Sequence, residues 1–550
     1  MKKNILFFSI YLFPIIAFSQ VEDIPISNSV YNFLMRAEVR GFLPHFSTTK
    51  LPLQRGEVIH ALKQIRSNEQ YLSNSEKESL LYFEKEFRIA YEPRAVIFKS
   101  KSDTTLINFS NLSSDADKMF YHYTDSANKL SIRPIGSLDL IEKINEDHSQ
   151  YSLVGLFGLK FYGTLSRSLG YYFQAKNGNV ISGNKSLASY NSEYKKSVKF
   201  TELNSDIDLT QSHIIFQKDW FRAKIGREEE QIGAGLFQKT YVTNDGPPMD
   251  AISLATVFKS FRYDFSFSDL IGYSDNPFIT SVRSSIPQKY LIQHRFSVRP
   301  SWGEFGFWEG LISSGRGIDI AYLNPIIFLK SAEHSLHDRD NSLMGFDATI
   351  RPIKNIELRS TLMLDDLIFS EIGKGYWSNK VAFNGAAIYT TPFNLDCGVE
   401  YSRVEPYTFS HFNYQDSYTN DGTLIGSILQ PNSEQYSLLL QYWWGSRYPL
   451  RVNLNYTRHG ANVYDSTGAL IKNVGADPKI TRRDPDPATG FPGDPYYGVK
   501  FLDGNLQEVL SVQVNFSVEI VRNFSMSAIY NLQMKNDYAD HYFRLCFYLN

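Results

Sequence analysis

The stretch Leu510-Ser511-Val512-Gln513-Val514-Asn515-Phe516-Ser517-Val518-Glu519-Ile520 alternates apolar and polar side chains without a break. Successive side chains of a strand point to opposite faces, so this segment has one apolar face and one polar face. Its length fits the roughly 9–11 residues that a tilted strand needs to cross a bilayer. A soluble sandwich strand would alternate in the same way. The fold therefore depends on whether the rest of the chain repeats the pattern, and on which way the apolar faces point.

The repeat holds from about Ser131 to the C-terminus. Phe157, Leu159, Phe161 and Leu165 oppose Gly158, Lys160, Tyr162 and Thr164. Met344, Phe346, Ala348 and Ile350 oppose Gly345, Asp347, Thr349 and Arg351. Tyr436, Leu438, Leu440 and Tyr442 oppose Gln435, Ser437 and Gln441. Connector lengths give a second test, because outer-membrane barrels have short periplasmic turns and longer extracellular loops. Short turns fall near Val521–Asn523, Gly445–Pro449, Thr391–Phe393, Arg351–Asn355, Arg299–Gly303 and Lys259–Ser260. Between them lie mostly longer connectors, near 178–202, 227–250, 272–288, 314–342, 370–377, 405–434 and 460–505. Counting backward from Asn550 predicts an all-β transmembrane barrel of about eighteen antiparallel strands, with both chain ends of the barrel periplasmic. Leu510–Ile520 then runs toward the periplasm, and Glu519 lies near the end where a helical bundle could meet it.

Composition agrees with a barrel. Aromatics make up 15% of the 550 residues, and such proteins place aromatic girdles at both membrane interfaces. A net charge of −2 gives no reason to expect a nucleic-acid partner. Lys2 and Lys3 precede the apolar run Ile5–Phe18, and the small residues Ala17 and Ser19 suit a cut after Ser19. Residues 1–19 therefore read as a signal peptide, and the mature chain as an exported protein of a Gram-negative cell. Cys397 shares a face with Leu395 and Val399, whereas Cys546 lies opposite Leu545 and Phe547. The two cysteines point to opposite sides of the wall, which argues against a disulfide.

Residues 20–130 read differently. Val30, Phe33, Leu34 and Ala37 have helical spacing, with Ser29 as N-cap and Gly41 as stop. A second helix starts near Gly56, and a third follows Ser73 and Ser75, each with a glutamate three residues on. This predicts a small periplasmic helical bundle, a linker over 93–130, and the barrel over 131–550.

A barrel of this width leaves a lumen that its wall side chains cannot fill, so it is either a water-filled pore or filled by loops. The long connectors carry mixed charge and, over 477–498, five prolines, which suits ordered loops with internal ion pairs. Candidate ligand contacts are Asp338, Arg339, Asp340 and Asn341 in one connector, and Arg403, Tyr407, His411 and Tyr414 in another. Arginine recognises acidic groups in bidentate fashion, and aromatic rings offer flat faces to a polar polymer. No G-x-S-x-G, H-E-x-x-H or P-loop occurs, so no catalytic residue, metal ligand or cofactor is assigned.

Several pieces together resemble the Wzi family of capsule-assembly outer-membrane proteins. They include Val30–Leu34, Pro52–Glu57, Ile225-Gly226-Arg227, Ile232-Gly233-Ala234-Gly235 and Tyr322-Leu323-Asn324-Pro325. Asp340-Asn341-Ser342, Leu364-Asp365-Asp366, Tyr401–Thr408 with His411, and Gly426 are similar to the family too. The resemblance implies an eighteen-stranded barrel with a periplasmic bundle and loops that occlude the lumen. It implies a non-enzymatic, lectin-like role at the cell surface, binding surface or capsular polysaccharide. Outer-membrane lipid and the machinery that assembles such barrels are the other expected partners. A porin or specific channel, and a surface adhesin or motility accessory, are the alternatives.

Overall fold

The computed structural model describes residues 20–87, 94–96, 117–146, 148–203, 206–272, 286–536 and 538–550. The signal-peptide reading of residues 1–19, and most of the expected linker, lie outside them. Eighteen antiparallel strands close into a barrel. They are β1 (Lys129–Ile144), β2 (Ser149–Leu165), β3 (Leu169–Gly183), β4 (Ile207–Lys218), β5 (Phe221–Glu228) and β6 (Met249–Phe258). Next come β7 (Phe261–Leu270), β8 (Lys289–Val298), β9 (Gly303–Ser314), β10 (Asn341–Ile353), β11 (Ile356–Asp366) and β12 (Lys380–Thr390). The last six are β13 (Leu395–Val404), β14 (Ser433–Tyr442), β15 (Leu450–Ala461), β16 (Asn505–Val521), β17 (Phe524–Lys535) and β18 (Tyr538–Leu549). The strand count and order match the sequence reading. β18 pairs with β1, with Leu549 opposite Gly136 and His541 opposite Ile144, which leaves no free sheet edge.

The wall is inverted relative to a soluble protein. Phe157 is 67% exposed on the outside, and Phe346 is 52% exposed beside Asp347 at 4%. Inside, Arg295 reaches Glu304 at 3.0 Å and Asp347 at 2.6 Å, and Arg359 pairs with Glu357 at 2.6 Å. Charges on the inner wall neutralise in pairs along a strand or between nearby strands, while the apolar exterior suits lipid. In β16 the alternation is read as expected. Gln513 faces inward, where Asn453 Nδ2 donates to it at 3.3 Å, and Phe516 faces outward against Trp444. Both cysteines are free thiols.

One end of the barrel carries eight turns of two to seven residues. The other carries the long connectors, except at 145–148 and 536–537, which flank the β18–β1 seam and are short. Three helices stopper the short-turn end: α1 (Val30–Val39), α2 (Arg55–Ser67) and α3 (Asn74–Phe87). Ser73 and Glu76 form the expected capping box at the start of α3, with bonds of 2.8 and 3.2 Å. At α1 the expectation fails. Ser29 already has helical backbone angles, and the Asn28 side chain accepts from the Val30 N–H at 2.9 Å. Gly41 ends α1 at φ +75°, as its position suggested.

Phe33, Leu62, Phe83 and Phe87 of the bundle share one apolar core, which Trp443 of the barrel turn joins. Charges then fix the bundle to the wall. Arg36 of α1 pairs with Asp396 of β13, and Arg351 of β10 reaches Glu38 at 2.9 Å. Arg447, in the turn before β15, reaches Glu86 of α3 at 3.1 Å and Glu519 of β16 at 3.4 Å. The polar face of the opening stretch therefore meets the bundle at Glu519.

Candidate functional site

Three connectors from the long-loop end fold into the lumen. The one over 229–248 goes deepest. Its Gln231–Ile232 pairs with Lys50–Leu51, which arrives from the opposite end of the barrel. Its Ile232-Gly233-Ala234-Gly235 run explains this path. Gly233 has φ +135°, and a Cβ on Gly235 would collide with the Gln238 carbonyl. The Ala234 N–H can thus reach Thr361 Oγ1 on β11 at 3.0 Å. Glu400 of β13 then accepts three backbone N–H groups, from Leu236 at 2.5 Å, Phe237 at 3.1 Å and Gln238 at 3.0 Å. Further along, Tyr241 stacks on the inward Trp308 of β9 with ring centroids 4.7 Å apart.

The connector over 405–432 packs against it. Tyr418 donates to the Tyr241 carbonyl at 2.8 Å, and Thr243 N–H donates to Ile425 at 2.6 Å. Phe409, Tyr418, Leu424 and Leu429 join Tyr241 and Trp308 in an apolar core inside the barrel. The third connector, 184–206, forms short helices against β1–β4. Its Tyr194 donates to the buried Asp139 at 2.9 Å. The lumen is thus filled from the long-loop end by loops and from the short-turn end by the bundle. Two adjoining polar cavities of about 760 and about 360 Å³ are left beside β1–β3 and β15–β18.

The eight candidate contacts divide into two groups. Asp340 is buried beneath Arg316 at 2.6 Å and Tyr322 at 2.7 Å. Asn341 donates to the Asp416 carbonyl at 3.1 Å, which ties β10 to the 405–432 connector. Tyr407 is buried and donates to the Asn473 carbonyl at 3.2 Å. His411 is buried with its ring against Phe412. Burial pushes the His411 imidazole down to about 3, with the Lys380 charge adding to it, so it is neutral at physiological pH. These four hold the loops together. The other four are solvent-facing. Asp338 and Arg339 are exposed, Tyr414 is 40% exposed, and Arg403 is half-buried over the Phe501 ring at 3.7 Å. Asp340, Asn341, His411 and Tyr414 lie on two loops that the Asn341–Asp416 bond joins. Arg403 and Tyr407 belong with the 462–504 connector instead.

That connector forms, with residues 367–379, a surface that the sequence reading did not single out. Trp377 N–H donates to Tyr496 at 3.0 Å, and Val499 N–H donates to Gly375 at 3.0 Å. These bonds bring Tyr376 to 5.3 Å from Tyr497 and place Arg482 over Tyr496 at 3.7 Å. Tyr496 and Tyr497 are about half exposed, at 49% and 54%. Arg483 braces the platform. It donates to Asp494 at 2.8 and 3.0 Å, and Asn473 donates to the same carboxylate at 3.0 Å. Burial opposes ionisation of Asp494, but these bonds hold it below the usual carboxylate range. Rigid rings with polar tips beside guanidinium groups stack on sugar faces and hydrogen-bond to hydroxyls and carboxylates. The dipeptides Tyr376-Trp377 and Tyr496-Tyr497, each beside a glycine, are the only local signal of this surface.

Two clusters have metal-ligating residue types among the described residues. Asp23, His213 and Glu228 are already held by Arg222 at 2.5 Å from Asp23 and by Lys224, which contacts both carboxylates. In the other, Glu333, His334 and Asp338, the Lys330 ammonium lies 3.1 Å from Glu333. Neither arrangement is an open ligand set.

No curated protein sequence matches the chain. The chain is similar in structure to Escherichia coli Wzi, described as an outer-membrane protein involved in group 1 capsule assembly and a carbohydrate-binding β-barrel. The TM-score is 0.58 at 12% identity, over 95% of this chain and 98% of that one. Pseudomonas aeruginosa OccK8 (OprE) aligns over 77% of this chain and 98% of its own, at 10% identity and a TM-score of 0.43. The family model described as "Capsule assembly protein Wzi" matches residues 148–545, and the chain belongs to that family of outer-membrane β-barrels.

Proposed function

We propose that this protein holds surface polysaccharide at the outer membrane, as a capsule-binding lectin and not as an enzyme or a channel. The observation that carries the reading is a lumen filled from both ends beneath an aromatic and arginine-rich outer surface. In this reading residues 1–19 are removed on export. The bundle, the short turns and the C-terminus face the periplasm, and the long connectors face outward. The ligand runs across Tyr376, Tyr496 and Tyr497, with Arg403, Arg339, Asp338 and Tyr414 at its flanks. Asp340, Asn341, Tyr407 and His411 shape that surface from beneath. Outer-membrane lipid covers the apolar wall, and the barrel-assembly machinery inserts it. The carbohydrate binding described for Escherichia coli Wzi and the family membership both support this reading.

The test is binding of the purified barrel to polysaccharide released from the producing cell's surface. Tyr496→Ala with Tyr497→Ala is expected to weaken binding roughly tenfold or more, because truncating an aromatic anchor of a binding surface costs on the order of 2 kcal/mol. Unchanged thermal stability would attribute the loss to the surface. Native barrel that binds no glycan from that cell would exclude the proposal.

A further inference from the structure

The two cavities left in the lumen have an electrostatic feature that loop packing does not account for. The wall of the 360 Å³ cavity carries seven cationic side chains and four carboxylate side chains, and Asn550 adds the chain-terminal carboxylate. Six of the seven cations have a carboxylate partner. Arg55 reaches Glu22 at 2.8 Å, Arg133 Asp117 at 3.1 Å, Lys196 Glu229 at 2.9 Å and Arg544 Asp139 at 2.9 Å. Arg447 reaches Glu86 at 3.1 Å, and Lys176 pairs with Glu193.

Lys160 is the exception. It lies on the inward face of β2 with Tyr162 and Thr164, and lines the cavity. Among the described residues it has no carboxylate within ion-pair distance. The adjoining 760 Å³ cavity repeats the feature. Among the described residues its Arg451 bonds to neutral side chains, Gln441 at 2.8 Å and Asn32 at 2.9 Å, and to no carboxylate.

An enclosed cation costs free energy unless an anion or ordered water satisfies it, and low-dielectric walls focus its field on the cavity. Among the described residues every other cationic side chain on the wall of the 360 Å³ cavity has a carboxylate partner, so Lys160 faces its open space unpaired. The rest of the lining is polar. Asn28, Gln174, Asn244 and Tyr548 line both cavities and join them into one chamber. Each of the two cavities by itself lies within the size range of small-molecule sites. Amides and a phenol around the Lys160 ammonium, with the Arg451 guanidinium in the adjoining space, suit a hydroxylated ligand that carries an oxyanion. They do not suit an apolar ligand.

We propose that the lumen chamber is a second binding site, distinct from the outer surface, which takes a small sugar acid or sugar phosphate through an oxyanion held by Lys160. Two probes separate the sources of the oxyanion, glucuronate for the carboxylate and glucose 6-phosphate for the phosphate, with glucose as the uncharged control. The full barrel in detergent micelles is titrated by calorimetry. The expected result is binding of at least one charged probe and none of glucose. Lys160→Gln should weaken that binding about tenfold or more, the range of a charge-assisted hydrogen bond, and Lys160→Arg should retain most of it.

Gln174→Leu, which removes a polar wall group and leaves every ion pair in place, provides a second variant and should also weaken it. Lys160→Gln removes no ion pair either, so its thermal stability without probe should not fall. Tyr496→Ala with Tyr497→Ala should leave probe binding unchanged, which makes the chamber and the outer surface fail or succeed separately. Silence with both charged probes would overturn the proposal. So would binding that survives both Lys160→Gln and Gln174→Leu.

Discussion

Val514→Arg is expected to abolish the folded, heat-resistant barrel in the membrane, whereas Gln513→Arg at the adjacent position leaves assembly intact. Val514 lies on the outward face of β16, opposite Val452 of β15 and Tyr530 of β17. Its neighbours on that face are Val512 and Phe516, the latter packed against Trp444 at 5.3 Å. A guanidinium placed in hydrocarbon at mid-depth costs on the order of 2–4 kcal/mol on barrel walls, a large share of ordinary stability. Gln513 faces inward and is bonded to Asn453, which lines the chamber together with Asn515, so an arginine there has polar partners. Cold and boiled samples run on a gel report the folded fraction. Two variants that behaved alike would mean that the inside and outside of the wall have been reversed.

Glu400→Ala is expected to free the 229–248 connector and open an ion path. One carboxylate receives the N–H groups of Leu236, Phe237 and Gln238, and the Ser402 hydroxyl at 2.9 Å. Alanine leaves three backbone donors without their acceptor inside the lumen. Each unsatisfied buried donor costs about 1–3 kcal/mol, so the local loss is roughly 3 kcal/mol or more. The barrel ladder does not depend on those bonds, so the strands should remain while the plug loosens. In planar bilayers the variant should show frequent openings. Glu400→Gln, which keeps one acceptor oxygen, should give an intermediate result. A variant as silent as the native protein would mean that Tyr241, Trp308 and the 405–432 connector hold the plug without Glu400.

The wall was legible in the sequence because its forces are local and periodic. Asp347 between Phe346 and Ala348 has only one inward option once lipid covers the other face, and the short turns fix the phase of each hairpin. The bundle was legible through Ser73 with Glu76 and through Gly41, although Asn28 replaced Ser29 as the cap of α1. The contacts that build the plug were not legible, although the family resemblance implied loops that occlude the lumen. Glu400 and Leu236, or Tyr241 and Trp308, are far apart in the chain, and neither partner carries a local mark of the other. For the same reason half of the candidate contacts proved to be internal. Asp340 and Asn341 look like ligand groups until Arg316, Tyr322 and Asp416 are brought beside them. The rim at Tyr376, Trp377, Tyr496 and Tyr497 was missed because two connectors build it and neither announces it alone. The family-like pieces turn out to be plug and frame. Ile232–Gly235 threads the lumen, and Asp365 accepts from Phe409 N–H at 2.6 Å.

The most direct test is the conductance of the native barrel in a planar bilayer, measured beside its binding of cell-surface polysaccharide. The expected result is no stable channel in a preparation that binds the polysaccharide. A large, steady conductance with no polysaccharide bound would contradict a closed, glycan-holding barrel and make the protein a porin.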